Sequence, residues 1–183
     1  MWAALYTALV LALFVRFQDP NAPAPRHAPL PTSGEPLGLV RLHHALFYTL
    51  LLGVCPLEAL VLGGGSAGRA AGVIAFATGV ACYRWGAMAL GESLSPLVRP
   101  RPAARLVTDG PYRVVRHPMY VGQLLIAFGA PATLGCRWAF AVSFAAALVV
   151  VVRIGKEEDA LALVYADYAE YRGRSKRLFP FVF

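Results

Sequence analysis

The sequence predicts an all-α integral membrane protein with about five transmembrane helices, a helical hairpin and a cytoplasmic amphipathic C-terminal helix. Hydrophobic residues make up 58% of the 183 residues and charged residues 15%, whereas soluble domains carry about 45–50% and about 25%. Long apolar runs recur along the chain, and a membrane span needs roughly 17–25 such residues. Lys and Arg gather at the ends of these runs, as is typical of membrane proteins.

Five apolar runs define the predicted spans. They lie at about residues 1–17, 40–62, 68–90, 118–135 and 137–154. No basic residue precedes Arg16, so we interpret the first run as a retained span and not as a signal peptide. Pro131 lies near the turn between the last two runs, where proline can kink or end a helix. These two runs are therefore expected to form a close helical hairpin.

Basic residues orient the spans. Arg69 and Arg137 lie in two short turns and Arg84 lies inside the third span, whereas the other fourteen of the seventeen Lys and Arg residues fall on the opposite side. The positive-inside rule makes that side cytoplasmic, with the N-terminus outside and the C-terminus inside. The Ala/Gly/Arg-rich composition favours a prokaryotic inner or plasma membrane. Because the net charge of +7 follows this topology, it indicates contact with a lipid bilayer and not with nucleic acid.

The chain is predicted to form a single membrane domain over residues 1–183. Residues 1–79 hold the first spans and a Pro-rich cytoplasmic loop at 18–37, which is expected to be irregular. Residues 80–183 hold a long basic connector, the hairpin and the C-terminal segment. The segments whose residues could take part in binding or catalysis all lie in this second half.

The segment after the fifth span is predicted to be a separate amphipathic helix. Leu161, Val164 and Tyr168 recur at helical spacing. Glu157 and Glu158 are expected in the first turn of this helix, where carboxylates complement the helix dipole. Its basic end is expected near anionic lipid headgroups.

The stretch "RHPMY", Arg116–Tyr120, places polar residues directly before the fourth span. Pro118 suits the first position of a helix, where a missing N–H costs nothing. The free amides of that helix start, with Arg116 and His117, could bind an anion. Glu157 and Glu158 would lie at the same membrane face and complete a site for a zwitterion. The alternative is that the basic residues only mark topology and the carboxylates only begin a solvated helix.

Four further polar residues lie in or beside the spans. Arg84 is a functional candidate because a charge at membrane depth is costly, although a long side chain can also reach the interface. Glu58 lies near the outer end of the second span and can reach water. His43 and His44 are adjacent and cannot share one helix face, and the three cysteines have no metal-binding spacing. No metal site is expected.

Three segments together carry a family resemblance. In order, "LGESLSP", "LVTDGPYRVVRHPMYVGQLL" and "RIGKEEDALALVYADYAEYRGRSKRLFP" closely resemble the isoprenylcysteine carboxyl methyltransferase and phospholipid methyltransferase superfamily of membrane enzymes. The resemblance covers roughly residues 80–180. It implies a methyltransferase that uses S-adenosylmethionine (SAM), releases S-adenosylhomocysteine, and binds its cofactor in a pocket facing the cytoplasm. Leu94 stands where relatives usually carry an aromatic residue.

The resemblance also implies roles for individual residues. The cofactor pocket would comprise Leu106, Val107, Gly110, Pro111, Tyr112, Arg116, His117, Tyr120, Glu157 and Glu158. Arg84 and Glu92 would act on the methyl acceptor. Arg84 could orient a carboxylate or phosphate, and Glu92 or a pocket carboxylate could accept a proton from an amine.

The sequence leaves the methyl acceptor and the oligomeric state open. An isoprenylcysteine carboxylate-like group, a phospholipid amine, an isoprenoid and a thiol all fit a lipophilic or small-molecule acceptor. Two other classes of protein compete with a methyltransferase. One is an NADPH-dependent membrane reductase of the sterol-reductase type, and the other is a non-enzymatic membrane scaffold or carrier. A scaffold does not explain why the Arg-His-Pro start and the carboxylate-rich segment occur in this order.

Overall fold

The described part of the protein consists of helices and connecting turns. The computed structural model describes residues 37–95, 97–98, 100 and 104–178, and within them it contains no β-strand. The helices are α1 (Leu37–Tyr48), α2 (Cys55–Val61), α3 (Arg69–Leu90), α4 (Pro118–Leu134), α5 (Ala139–Val164) and α6 (Tyr168–Arg174). Short 3₁₀ turns lie at Gly91–Ser93 and Gly110–Arg113.

In the part of the chain that the structure describes, three helical stretches are long and apolar enough to cross a membrane. They are Gly38–Val61, Arg69–Ser93 and Ala139–Val164, and α4 is an apolar helix of only 17 residues. The predicted all-α membrane fold is confirmed, and these four helices correspond to four of the five predicted spans. The predicted first span at 1–17 and the Pro-rich loop at 18–37, up to residue 36, lie outside the described residues.

A π-helical segment, Thr49–Val54, joins α1 to α2 within one continuous span. Pro56 explains its presence, because proline has no N–H to donate to the carbonyl four residues earlier. The N–H of Cys55 donates instead to the carbonyl of Leu50, five residues back. The wider turn lets the span continue past a proline.

Helices α3 and α4 touch through their backbones along a row of glycines. The row comprises Gly72, Gly79 and Gly86 on α3 and Gly122 and Gly129 on α4. A Cβ atom at Gly79 would lie 2.7 Å from the carbonyl oxygen of Gly122 and 2.8 Å from the nitrogen of Ile126. Small residues allow this approach, and close packing holds helices together where lipid replaces water.

The end of the bundle opposite Arg116 is closed by Glu58 of α2. The Glu58 carboxylate accepts hydrogen bonds from the backbone N–H groups of Arg137, Trp138 and Ala139, at 2.6, 3.0 and 2.8 Å. These amides begin α5 and have no partner within that helix. A carboxylate there also complements the helix dipole. Glu58 therefore caps a neighbouring helix.

Helix α5 runs without a break from the hairpin turn to Val164. Its 26 residues give a length of about 39 Å, which exceeds a hydrocarbon core of about 30 Å. Glu157 and Glu158 lie in its last turns, so the prediction that they begin a separate helix was wrong. Arg153 and Glu157 form an i,i+4 ion pair at 3.1 Å, which supports helix continuity at this point.

The C-terminal helix that does form is α6, of seven residues. It is amphipathic, as predicted. Tyr168 and Tyr171 are buried, whereas Glu170, Arg172 and Arg174 are exposed.

We expect a Gly79→Ala substitution to destabilise the protein by about 1–3 kcal/mol, because the new methyl group meets backbone atoms of α4 and overpacks the contact. Gly155→Ala is the matched control, since Gly155 is also helical and a Cβ atom there meets nothing within 4 Å. Denaturant titrations in detergent would measure both. Equal stability of the two variants would show that the backbone contact does not hold α3 and α4 together.

Candidate active site

A cavity of about 310 Å³ lies among α1, α3, α4, α5 and the connector between α3 and α4. This volume is at the lower end of the range for small-molecule sites, about 300–1,000 Å³. Seven of the ten residues predicted to bind a cofactor line it. They are Leu106, Val107, Tyr112, Arg116, His117, Tyr120 and Glu157. The structure thus brings together residues that are up to 51 positions apart in the sequence.

Two of the remaining predicted residues, Gly110 and Pro111, begin the 3₁₀ turn that carries Tyr112. Gly110 has a φ of +59°, a conformation that glycine adopts without strain. Pro111 is buried beside it. Neither lines the cavity, so their visible contribution is to position Tyr112 at its wall.

Glu158 is the third predicted cofactor residue that does not line the cavity, and it lies in a buried ion network. Its side chain is 4% exposed, and its carboxylate lies 2.8 Å from Nε of Arg116 and 2.8 Å from Nη2 of Arg177. Nε2 of His117 lies 3.4 Å from the same carboxylate. Paired charges and additional hydrogen bonds offset the cost of taking a carboxylate out of water. Glu158 does not line the cavity, so it orients residues that do.

The segment after α6 wraps around the start of α4. The backbone N–H groups of Arg116 and His117 donate to the carbonyls of Lys176 and Arg177, at 2.7 and 3.1 Å. Nη1 of Arg116 also donates to the carbonyls of Arg172 and Ser175. Pro118 is the first residue of α4, as predicted. The amides just before it, however, are engaged by the protein itself.

A second polar cluster joins α4 to α5. The hydroxyl of Tyr120 donates to Oε1 of Glu157 at 2.5 Å, and Nε of Arg153 donates to the same oxygen at 3.1 Å. The guanidinium of Arg153 lies 5.8 Å from the centre of the Tyr120 ring. Oε2 of Glu157 lies 3.9 Å from Nδ1 of His117. This oxygen remains the less engaged of the two.

Arg153 is a site residue that sequence reasoning missed. It was counted only as a basic residue marking the cytoplasmic side, yet it is 5% exposed and lines the cavity. The sequence did contain an indication that Arg153 pairs with a site residue. Arg153 and Glu157 are four residues apart, the spacing at which opposite charges pair on a helix.

Tyrosines that were not predicted as site residues secure the cavity wall. The hydroxyl of Tyr171 donates to the carbonyl of Tyr112 at 2.7 Å, and that of Tyr165 donates to the carbonyl of Ala104 at 2.8 Å. Burial raises the pKa of Tyr171 to about 12, so its phenol remains a donor at physiological pH. Both tyrosines line the cavity. The connector is therefore held in place by the C-terminal region.

The two residues predicted to act on the acceptor lie away from the cavity lining. Arg84 and Glu92 are both exposed, and neither is among the described lining residues. Their neighbours in the sequence differ: Tyr83 lines the cavity, and so do Ser93, Leu94 and Ser95 of the turn after α3. Pro96, which ends the predicted "GESLSP" turn, lies outside the described residues.

Metal ligands are not grouped in the described ranges. Among residues 37–95, 97–98, 100 and 104–178, no three His, Cys, Asp or Glu side chains are arranged to hold a metal ion.

A model of the family described as phospholipid methyltransferase matches residues 67–168, more than half of the chain. The chain belongs to the phospholipid methyltransferase family. The matched range includes all of the described cavity-lining residues except His44 and Tyr171. The predicted superfamily is thereby confirmed, and most of the described cavity lining lies within the matched range.

Two curated bacterial proteins are similar to part of this chain. The cobalt-zinc-cadmium resistance protein CzcN of Cupriavidus metallidurans is 38% identical over 78 residues, which cover 41% of this chain and 35% of that protein. Methanethiol S-methyltransferase 2 of Bradyrhizobium diazoefficiens is 35% identical over 72 residues, which cover 39% of this chain and 27% of that protein. The chain spans about a third or less of the length of these relatives.

In this phospholipid methyltransferase family member, we expect Glu158→Gln to destabilise the fold by about 3–5 kcal/mol. Removing one partner from a buried ion network leaves the guanidinium of Arg116 without its countercharge. Amide hydrogen exchange at Arg116 and His117 should accelerate, because their hydrogen bonds to the C-terminal segment depend on the position of Arg116.

Glu170→Gln is the control for this experiment, since it removes an exposed i,i+4 pair with Arg174. Unchanged exchange at Arg116 in the Glu158→Gln variant would show that Glu158 does not hold the C-terminal segment against α4.

Proposed function

We propose that this protein is a SAM-dependent methyltransferase of the membrane, acting on a lipophilic or small acceptor. The observation that carries the proposal is the coincidence of the family-matched segment with the cavity walls. Most residues that line this cavity of small-molecule size lie in the segment that matches a family named for methyl transfer. Methanethiol S-methylation by the Bradyrhizobium relative supports methyl transfer as the reaction class.

The chemistry of the cavity wall fits a cofactor with an amino-acid portion, an adenosine portion and a sulfonium. Arg116 and Arg153 supply guanidinium groups, which suit a carboxylate. Glu157 supplies a carboxylate oxygen, Oε2, for an ammonium or a ribose hydroxyl. Nε2 of His117 lies 3.4 Å from the Glu158 carboxylate, so the ion network positions the His117 ring at the cavity wall. When bound, SAM supplies an electrophilic methyl group.

The remaining predicted cofactor residues take supporting roles in this proposal. Glu158 acts through Arg116 and His117, whose side chains it orients from behind the cavity wall. Gly110 and Pro111 act through Tyr112, and Leu106 and Val107 add apolar wall. Methyl transfer requires alignment of the two reacting atoms and exclusion of water, and a preformed wall of this kind provides both.

The acceptor is proposed to reach the cavity from the bilayer. Isoprenylcysteine carboxylate-like groups, phospholipid amines and thiols remain the candidate classes. Arg84 and Glu92 retain the proposed roles of orienting an acceptor and accepting its proton, Arg84 from the last two turns of α3 and Glu92 from the turn that follows it. These two roles require the acceptor to extend beyond the cavity lining.

The proposed orientation follows the distribution of charge in the structure. The cavity lies at the end of the bundle that also carries Lys176 and Arg177, whereas Arg69 and Arg137 lie at the other end. Under the positive-inside rule, the cavity end faces the cytoplasm. The membrane would then be a prokaryotic inner or plasma membrane.

We expect the purified full-length protein in detergent or nanodiscs to bind labelled SAM saturably and to fail to bind NADPH. Glu157→Gln should weaken SAM binding about tenfold or more, since a hydrogen bond to a charged group contributes about 1.5–3 kcal/mol. Glu170→Gln is exposed, lies outside the cavity and should bind as the wild type does.

Binding of NADPH without SAM would overturn the methyltransferase proposal in favour of a sterol-reductase-type enzyme. Equal SAM affinity in the wild type and in Glu157→Gln would remove Glu157 from the cofactor site while leaving the reaction class standing.

A further inference from the structure

Arg177 joins the ion network behind the cavity wall from the C-terminal segment. It follows α6, lies outside the family-matched residues 67–168, and is not among the described lining residues. Its backbone carbonyl accepts the N–H of His117 at 3.1 Å, and its side chain reaches the carboxylate of Glu158. One residue thus contacts both the start of α4 and the carboxylate that pairs with it. Arg177 can therefore influence the wall without touching a ligand.

The carboxylate of Glu158 is divided between two arginines. Its Oε1 lies 2.8 Å from Nε of Arg116. Its Oε2 lies 2.9 Å from Nε and 2.8 Å from Nη2 of Arg177. The Glu158 side chain is 4% exposed, so water and salt screen its charge only weakly. Arg177 therefore takes part of a negative charge that would otherwise act on Arg116 and His117 alone.

Arg116 retains one amino group that the protein does not engage. Its Nε donates to Glu158, and its Nη1 donates to the backbone carbonyls of Arg172 and Ser175. Its Nη2 makes no hydrogen bond to any residue that the structure describes. Arg116 is 9% exposed and lines the cavity. A buried guanidinium with one unengaged amino group favours an anionic ligand group.

The other arginines at the cavity are placed differently. Arg153 pairs with Glu157 at 3.1 Å, and within the described ranges Glu157 has no second arginine in ion-pair contact. That pair is matched one to one, whereas Glu158 serves two guanidinium groups. Arg105 also lines the cavity, but it is exposed, and solvent weakens an exposed charge. Arg116 is therefore the best placed of the three to bind a carboxylate.

We propose that Arg177 is a positioning residue of the cofactor site, which leaves Arg116 with the positive charge needed to bind the amino-acid carboxylate of the cofactor. The proposal rests on the proposed methyltransferase function and deepens it. Arg177 acts through Glu158, because by binding Oε2 it weakens the hold of that carboxylate on Arg116. Nη2 of Arg116 then donates to the carboxylate of the ligand. Only hydrogen bonds form in this step.

The test compares two ligands that differ only at the carboxylate. Full-length protein in nanodiscs is titrated with S-adenosylhomocysteine and with its carboxamide, which lacks that negative charge, and both dissociation constants are measured. The wild type should bind the carboxamide about tenfold more weakly, because hydrogen bonds between charged groups are the stronger ones. In Arg177→Met this ratio should fall to about twofold, a loss within the range for groups that share one ion network.

Two further variants control for charge and for location. Arg177→Lys keeps a positive charge beside Glu158 and should retain the wild-type ratio. Arg174→Met removes an exposed arginine of the same segment, which pairs with Glu170, and it should retain the ratio as well. If Arg177→Met does not fold, Arg177→Gln replaces it, since glutamine offers a hydrogen-bond donor without a charge.

The ratio of the two constants does not depend on how much of the protein is folded, so a merely structural role would leave it unchanged. An unchanged ratio in the uncharged variant therefore overturns the role of Arg177, and so does an equal loss of the ratio in Arg174→Met. Equal affinity of the wild type for the two ligands overturns the carboxylate site at Arg116 and leaves the methyltransferase proposal standing. Failure of the wild type to bind SAM and both ligands overturns the proposed function, and this inference with it.

Discussion

The backbone contact between α3 and α4 is the constraint on which the site depends. Gly79 and Gly122 let the two helices approach until carbonyl oxygens and amide nitrogens of one lie where side chains of the other would stand. In a bilayer no hydrophobic driving force draws helices together, so close packing must hold them. The contact fixes where α4 begins relative to α3. It therefore fixes Arg116, His117 and Tyr120 against the connector and Tyr83.

Contacts within the protein itself fix the positions of the polar residues that build the cavity. Glu158 has Arg116 and Arg177 as partners, and Glu157 has Tyr120 and Arg153. Near a membrane such groups are tolerated only when they are paired. Preorganisation follows directly, because side chains locked by ion pairs lose no further freedom when a small molecule arrives.

The spans within the described residues were predictable because hydrophobic length is a local property of the sequence. Pro118 as a helix start and the pairing of the "RHPMY" stretch with Glu157 and Glu158 were also accessible from sequence. The continuation of α5 through Glu157 was not, because carboxylates near a predicted membrane boundary resemble a helix start. His44 and Gln123 were missed for a different reason. Each is a single polar residue in an apolar run, and only the folded structure shows that they line the same cavity.

The wrapping of residues 172–177 around the start of α4 has a consequence for biogenesis. Spans enter the membrane in order as the chain is made, but Arg116 receives its carbonyl partners from residues made some sixty positions later. Until then, Arg116 and His117 lack these backbone partners, although Glu158 of α5 has already been made. The protein can thus be inserted in full while its cavity is still unfinished. Assembly of the site therefore follows the synthesis of residues 172–177 and is not completed by the insertion of the span that Arg116 precedes.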